Sequence, residues 1–269
     1  MTRFERLFVW SGGLLFAGSI ALCVWWYLFY LGQPRPRTGL APLAYDAVLL
    51  TIFACHHSLF ARGWVKRQLT PIPPHLRRSV YVWIASVLLI AVCLLWRTLG
   101  GELYDASGAG AGALVVVQLA GVAIAAWSVA EIDPLELAGI RTPDAEDELQ
   151  FQGPYRLVRH PLYLGWIVAA FGTPHLTGDR LAFAILTSLY LMIAIPWEEQ
   201  SLVQSYGGEY TRYQRQVRWR VIPFIYFENS RGVPHFLIAG ATPGAVARRI
   251  RASQRLKAVT RCRRLRSGS

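Results

Sequence analysis

The sequence predicts an all-α, polytopic integral membrane protein with five to six transmembrane helices. Three observations lead there. Of 269 residues, 54% are hydrophobic and only 16% are charged, where a soluble domain carries about 25% charged residues. Mean hydropathy is +0.31. Four mostly apolar runs reach the roughly 20 residues that a membrane-spanning helix needs. So much apolar sequence excludes disorder over most of the length.

The first run, Leu7–Leu31, follows Met-Thr-Arg-Phe-Glu-Arg and has the look of a signal peptide. Its apolar stretch is too long for one, and no small-x-small cleavage site follows it, so it reads as a retained span. The next three runs are Ala41–Phe60, Ser79–Leu99 and Gly112–Ile132. The last apolar region is split. Pro161–Thr173 is short, Pro174, Gly178 and Asp179 interrupt it, and Arg180–Trp197 continues to Glu198-Glu199. This pattern predicts a helical hairpin whose ends rest partly on protein, with six crossings, or five if the hairpin is shallow. Three regions follow: helices over 1–131, a core with hairpin and cap over 132–227, and a basic tail over 228–269.

Charge sets the expected orientation. The net charge is +12, and from Arg231 onward basic residues occur without an acidic one. With the N-terminus in the cytoplasm, Arg62, Lys66, Arg67, Arg77, Arg78, Arg141, Arg156 and Arg159 all fall inside. The outer loops keep Arg35, Arg37, Arg97 and Arg180. The positive-inside bias therefore predicts both termini in the cytoplasm, and the expected location is a bacterial-type inner or plasma membrane. The tail is expected to bind anionic lipid rather than nucleic acid. The polar segments 133–159 and 198–223 share the cytoplasmic side, while the outer loops, such as Gly101–Gly112, are poor in functional side chains. The four cysteines show no CxxC pair, so neither a disulfide framework nor a metal site is expected. Walker and Rossmann fingerprints are missing too.

Four segments could carry chemistry. In Gly153–Trp166, Gly153-Pro154 forms a turn, and Pro161 starts a helix with His160 as its cap. Arg159 and Tyr163, four apart, share a face if that helix extends back so far. Gly165 admits a neighbouring backbone or a ligand. The same segment could be a basic turn anchored in headgroups. Glu198-Glu199 needs partners at a membrane border, with Arg156 and Arg159 as candidates, although Glu198 also suits a helix end in water. Glu199, Leu202, Tyr206, Tyr210, Tyr213 and Val217 recur at helical spacing on one face, fit for a packed stripe or a pocket wall. Asp133–Arg141 reads as an ordered loop. His56-His57, inside an apolar segment, is a functional candidate because ionisable groups there are costly. The competing readings are a hydrogen-bonded core histidine beside an interfacial one, and heme ligation.

Gly153–Trp166 together with Glu198–Pro223 resembles the isoprenylcysteine carboxyl methyltransferase and phospholipid methyltransferase group. The resemblance rests on Gly153, Pro154, Tyr155, Arg159, His160, Pro161, Tyr163 and Gly165, then Glu198, Glu199, Leu202, Gly207, Tyr210, Tyr213, Arg220 and Pro223. It covers roughly residues 130–225. His57–Arg62, Arg78-Ser79-x-Tyr81 and Glu136–Arg141 are similar to the NnrU-like branch, which includes membrane methanethiol S-methyltransferases. Pro134 departs from that branch's pattern, and the tail lies outside the resemblance.

The resemblance implies a helical membrane methyltransferase that uses S-adenosyl-L-methionine in a cytoplasmic-side pocket. It implies cofactor contacts from Gly153, Tyr155, Arg159, His160, Tyr163, Glu198, Glu199 and Tyr210. His57, Arg159, His160 and Glu199 are the candidate catalytic residues, with His57 or His160 as base. The implied acceptor is a small lipophilic thiol. An isoprenylcysteine carboxylate, a phospholipid amine, or a non-catalytic role in nitrogen-oxide respiration are the alternatives. The oligomeric state is left open.

Overall fold

A computed structural model of the protein describes residues 1–60, 71–141 and 151–223, apart from the side chains of His57, Leu59 and Phe60. Arg62, the acidic run 144–148 and the basic tail lie outside the described residues.

Helix α1, Arg3–Trp25, starts at a capping box. Glu5 N donates to Thr2 Oγ1 (3.2 Å) and Thr2 N to Glu5 Oε2 (2.7 Å), satisfying two N-terminal donors. The helix runs on through a π-helical turn, Trp26–Tyr30. Then come α2, Ala41–Phe60, and α3, Pro74–Leu95, which opens on a proline at its first turn. Helix α4, Gly108–Glu131, precedes α5, Pro161–Phe171, with His160 at its cap. Helix α6 spans Gly178–Tyr206, and α7 covers Gly208–Gln216.

Among the described residues, four stretches are long and apolar enough to cross a membrane: Arg3–Tyr30, α3, α4 and α6. Ala41–His56 and α5 are shorter apolar helices. Leucines, valines and tryptophans on their outer faces are exposed, as with Val116 and Leu119 on α4. Polar backbone is satisfied within each helix, which is what a lipid environment demands. The molecule is an integral membrane protein of mainly helical build.

Helix α1 packs along α3, α4 along α5, and α2 touches both α3 and α6. The α4–α5 contact is set by glycine. A Cβ on Gly165 would meet Ala125 N at 2.6 Å and Gly121 O at 2.7 Å. Gly165 therefore serves the approach of a neighbouring backbone, the close packing that small residues allow between membrane helices. At the centre, Trp26, Trp96 and Phe183 meet edge to face with centroids 5.3–5.8 Å apart, the geometry that aromatic quadrupoles favour.

The N-terminal end of α6 holds structure that the small-residue outer loop concealed. Strand β1, Glu102–Asp105, pairs antiparallel with β2, His175–Thr177. Fully buried Asp179 accepts from Trp96 Nε1 (3.0 Å), Leu99 N (2.8 Å) and Gly100 N (3.0 Å). Arg180 donates to Tyr27 O (3.1 Å) and Thr173 Oγ1 (3.1 Å). This is the condition under which a charge stays buried: it is hydrogen-bonded on all sides.

Two expectations change in detail. The expected loop 133–141 contains one helical turn, Pro134–Leu137, capped by Asp133 through Leu135 N (2.9 Å). Arg78 Nε (3.2 Å) and Ser79 Oγ (2.6 Å) from α3 hold it through the Glu136 and Gly139 carbonyls. The face running from Glu199 to Val217 is not one helix, because Gly207 at φ +59° breaks it between α6 and α7. That left-handed conformation suits glycine and ends the helix. Tyr210, Tyr213 and Val217 are still buried together, against Phe151, Leu202 and Tyr206.

Candidate active site

The C-terminal end of α6 meets the start of α5 at a cluster of charge. The chain enters α5 through a short extended pairing, in which Arg159 N donates to Trp219 O (2.9 Å) and His160 N to Arg220 O (2.8 Å). This clamps the segment after α7 onto the mouth of α5. Arg159 precedes the helix, so it does not share a helical face with Tyr163, as one extended helix would require. The pairing points it instead at α6.

Arg159 Nε donates to Glu199 Oε1 at 2.6 Å, with side chains only 7% and 6% exposed. One terminal nitrogen, Nη1, donates to Val217 O (2.9 Å) and Arg218 O (3.3 Å). Glu199 Oε2 lies 3.2 Å from Arg220 Nη2 and accepts from Gln214 Nε2 at 3.4 Å. Both Glu199 oxygens are thus engaged, and charge-assisted contacts of this kind are the strong ones.

Glu198 is different. Its side chain is 40% exposed. It accepts from the Tyr163 hydroxyl and lies 3.5 Å from His160 Nδ1. The His160 and Tyr163 rings stack, 5.3 Å apart and 14° from parallel. The α6 helix therefore presents two adjacent carboxylates with distinct surroundings, one locked and one reachable.

Three buried polar atoms at this cluster have no hydrogen-bond partner: His160 Nε2, Tyr210 OH and Arg220 Nε. His160 Nε2 is 3.5 Å from Glu199 Oε1, an ion-pair contact when the ring is protonated. Tyr210 lies within electrostatic reach of Glu199, Arg159 and Glu198. Buried polar atoms are nearly always satisfied, so a convergent set of orphans marks a place where a polar ligand fits.

Gly153 and Tyr155 sit beside this cluster, on the single 3-10 turn Gly153–Arg156. Gly153 has φ +56°, and a Cβ there would meet Glu131 Oε1 at 2.5 Å and Trp127 Nε1 at 2.9 Å. Tyr155 O accepts from Tyr213 OH at 2.7 Å. Burial, with the Glu131 and Glu198 charges, raises the Tyr155 phenol to about 12. Burial also raises Tyr210 and Tyr213. All three stay neutral donors at physiological pH.

The structure brings together Arg159, His160, Tyr163, Glu198, Glu199 and Tyr210. His57 is on α2, and its side chain is outside the described residues. Its neighbour His56 stacks on Tyr81 at 5.3 Å. Arg220 and Gln214 join the cluster without having been site candidates. Arg220 was visible as the first residue of the closing Arg-x-x-Pro pattern, whereas nothing in the sequence singled out Gln214. Among the described residues no group of three or more potential ligands could hold a metal ion.

Apolar helices that close at one end on a cluster of paired charges and unbonded polar atoms suit a membrane enzyme. Comparison with known proteins agrees. Residues 111–209 match the phospholipid methyltransferase family model. The chain is 38% identical over 182 residues to methanethiol S-methyltransferase of Mycobacterium tuberculosis, spanning 64% of this chain and 75% of that one. It is 35% identical over 243 residues to the Pseudomonas enzyme of the same name, spanning 79% and 92%. Nurim of Mus musculus is 28% identical over 190 residues, spanning 64% and 72%. No solved structure matches. The chain belongs to the methanethiol S-methyltransferase family and is a membrane methyltransferase.

Proposed function

We propose that the protein transfers a methyl group from S-adenosyl-L-methionine to methanethiol, giving dimethyl sulfide, at the cluster around Glu198 and Glu199. The convergence of unpartnered His160 Nε2, Tyr210 OH and Arg220 Nε beside the Arg159–Glu199 pair carries this reading. The names of the two bacterial relatives support the acceptor.

The bound cofactor supplies an electrophilic methyl on a sulfonium centre. The residues divide the remaining work. Glu199 fixes Arg159, Arg220 and Gln214 in place. Arg159 and Arg220 offer cationic donors for a carboxylate. Glu198, reachable and paired with Tyr163, suits an ammonium group. The faces of Tyr163 and Tyr210 suit a cation. Positioning of thiolate and methyl in line is the main catalytic contribution. Opposite charges cancel in the step, so a dry, low-polarity site favours it. A thiol reacts as its thiolate, and His160 is the base, His57 being the alternative. The site faces the cytoplasm, where the soluble cofactor is, and the basic tail binds anionic lipid.

Binding of labelled S-adenosyl-L-methionine to the detergent-purified protein tests the proposal. Saturable binding that Tyr210→Phe weakens is expected. An absence of saturable binding contradicts it. The family match over residues 111–209 also favours a second reading, a phospholipid amine as acceptor. An acceptor screen with labelled cofactor separates the two.

A further inference from the structure

Helices α1 and α3 run parallel and in register. Near their starts, Glu5 meets His75 at 3.3 Å. Further along, Trp83 Nε1 donates to Phe8 O at 3.0 Å, and the two rings stack at 5.8 Å. At the other end, Trp26 meets Trp96 edge to face at 5.4 Å. The offset between partners hardly changes from end to end, so the two helices face each other along a fixed seam.

Cys23 and Cys93 lie on that seam. Each stands three residues before its tryptophan, and side chains three apart share a helix face. Both belong to the core cluster around Trp26 and Trp96, at 7% and 5% exposure. Both are free thiols, and one hydrogen-bonds the other. The charged cluster makes no use of the pair, because Trp96 binds Asp179 at the opposite end of α6.

The surroundings decide what reaches the two sulfurs. Val24, Trp25, Leu94 and Leu95, beside them in the chain, are exposed apolar side chains on helices long enough to cross a membrane. Moving a charge into hydrocarbon is costly, so a charged peptide disulfide stays in water. An uncharged dialkyl disulfide partitions into the apolar layer.

We infer that Cys23 and Cys93 form a redox modification site, where a dialkyl disulfide oxidises the facing thiols to a disulfide that ties α1 to α3. The step is a double thiol–disulfide exchange. The sulfur of one cysteine attacks a sulfur of the dialkyl disulfide, breaks its S–S bond and forms a mixed disulfide. The first alkanethiol leaves with that cysteine's proton. The second cysteine then attacks the cysteine sulfur of the mixed disulfide, and the second alkanethiol leaves with the second proton. The dialkyl disulfide is reduced to two thiols and the cysteine pair is oxidised. A lone buried thiol is inert. Here the neighbouring thiol supports the attacking sulfur through its hydrogen bond, and the closing step is intramolecular, which raises its effective concentration. The site stands apart from the methyl transfer proposed above, although the alkanethiols released are of the class which that reaction consumes.

The test uses the full chain in nanodiscs with Cys55→Ala and Cys262→Ala, which leaves Cys23 and Cys93 as the only thiols of the four. After exposure to dimethyl disulfide and an acid quench, the protein is unfolded, treated with N-ethylmaleimide and measured by intact mass spectrometry. Loss of both alkylation sites without a retained methylthio group is expected, with full reversal by dithiothreitol. Adding Cys23→Ala should trap a methylthio group on Cys93. Adding Cys93→Ala instead repeats the trap on Cys23, in case the first variant fails to fold. Oxidised glutathione, charged and confined to water, should leave both thiols alkylatable. A methylthio group that persists with both cysteines present shows that the sulfurs do not meet, and overturns the site. Thiols that stay alkylatable under dimethyl disulfide overturn it too, as does a disulfide between two chains on a non-reducing gel. Equal oxidation by glutathione overturns the apolar oxidant.

Discussion

Arg159 and Glu199, forty residues apart in the chain, form a 2.6 Å ion pair at the meeting of α5 and α6. Neither residue sits on a shared helix. The pairing of 159–160 with 219–220 aims the arginine, and the last turns of α6 bring the carboxylate. The same contact that closes the fold at this end also positions Arg220, Gln214 and His160. Stability and chemistry are therefore entangled there, and the predictions below separate them.

Removing Glu199 leaves the Arg159 charge buried without a carboxylate, which costs about 3–5 kcal/mol, whereas removing Arg159 leaves Glu199 still paired with Arg220. Arg159→Ala and Glu199→Ala should each abolish turnover and lower the melting temperature. The double variant Arg159→Met/Glu199→Leu should recover much of the thermal stability without recovering cofactor binding. Thermal unfolding and labelled-cofactor binding on the three proteins decide it. Restored binding in the double variant would show that the pair acts only as a strut.

Tyr210 and Tyr213 make a matched comparison. The Tyr213 hydroxyl donates to Tyr155 O at 2.7 Å, while the buried Tyr210 hydroxyl has no partner. Tyr213→Phe should cost roughly 0.5–1.5 kcal/mol of stability, the net worth of an internal hydrogen bond, and leave cofactor affinity intact. Tyr210→Phe should leave stability unchanged or raised while weakening cofactor binding. Melting curves and binding isotherms on the two variants read the contrast directly.

Gly165 governs how closely α4 and α5 approach. A Cβ there collides with the Ala125 backbone at 2.6 Å, and overpacking of this kind costs about 1–3 kcal/mol. Gly165→Ala should lower the melting temperature. It should also reduce turnover, because the displaced α5 carries Tyr163 and follows His160. Full activity in Gly165→Ala would mean that the helix pair has slack.

Asp179, at the far end of α6 from Glu199, serves only the fold. Asp179→Ala strands Trp96 Nε1, Leu99 N and Gly100 N, at about 1–3 kcal/mol for a buried group left unpaired. The melting temperature should fall while the cofactor Kd of the folded fraction stays the same. A changed Kd would show coupling across the length of the helix.

Much of this was legible in the residues. The apolar runs became helices α1 to α4, and of these α1, α3 and α4 are long and apolar enough to cross a membrane, whereas α2 counts as a shorter apolar helix. Pro161 marked the start of α5 through its missing N–H. What escaped was long-range. Nothing local announces that Arg159 turns toward Glu199, since the strand-like pairing with Trp219 and Arg220 is set by tertiary closure. Gln214 lies in a polar stretch indistinguishable from a solvated face. The break at Gly207 was missed because the apolar spacing continues across it. The β1–β2 pairing was hidden by short strands in a loop of small residues.

The central claim is tested most directly by headspace dimethyl sulfide from the purified protein supplied with S-adenosyl-L-methionine and methanethiol. Product well above that of Arg159→Ala is the predicted result. No product above that background, with cofactor binding intact, would contradict methanethiol as the acceptor.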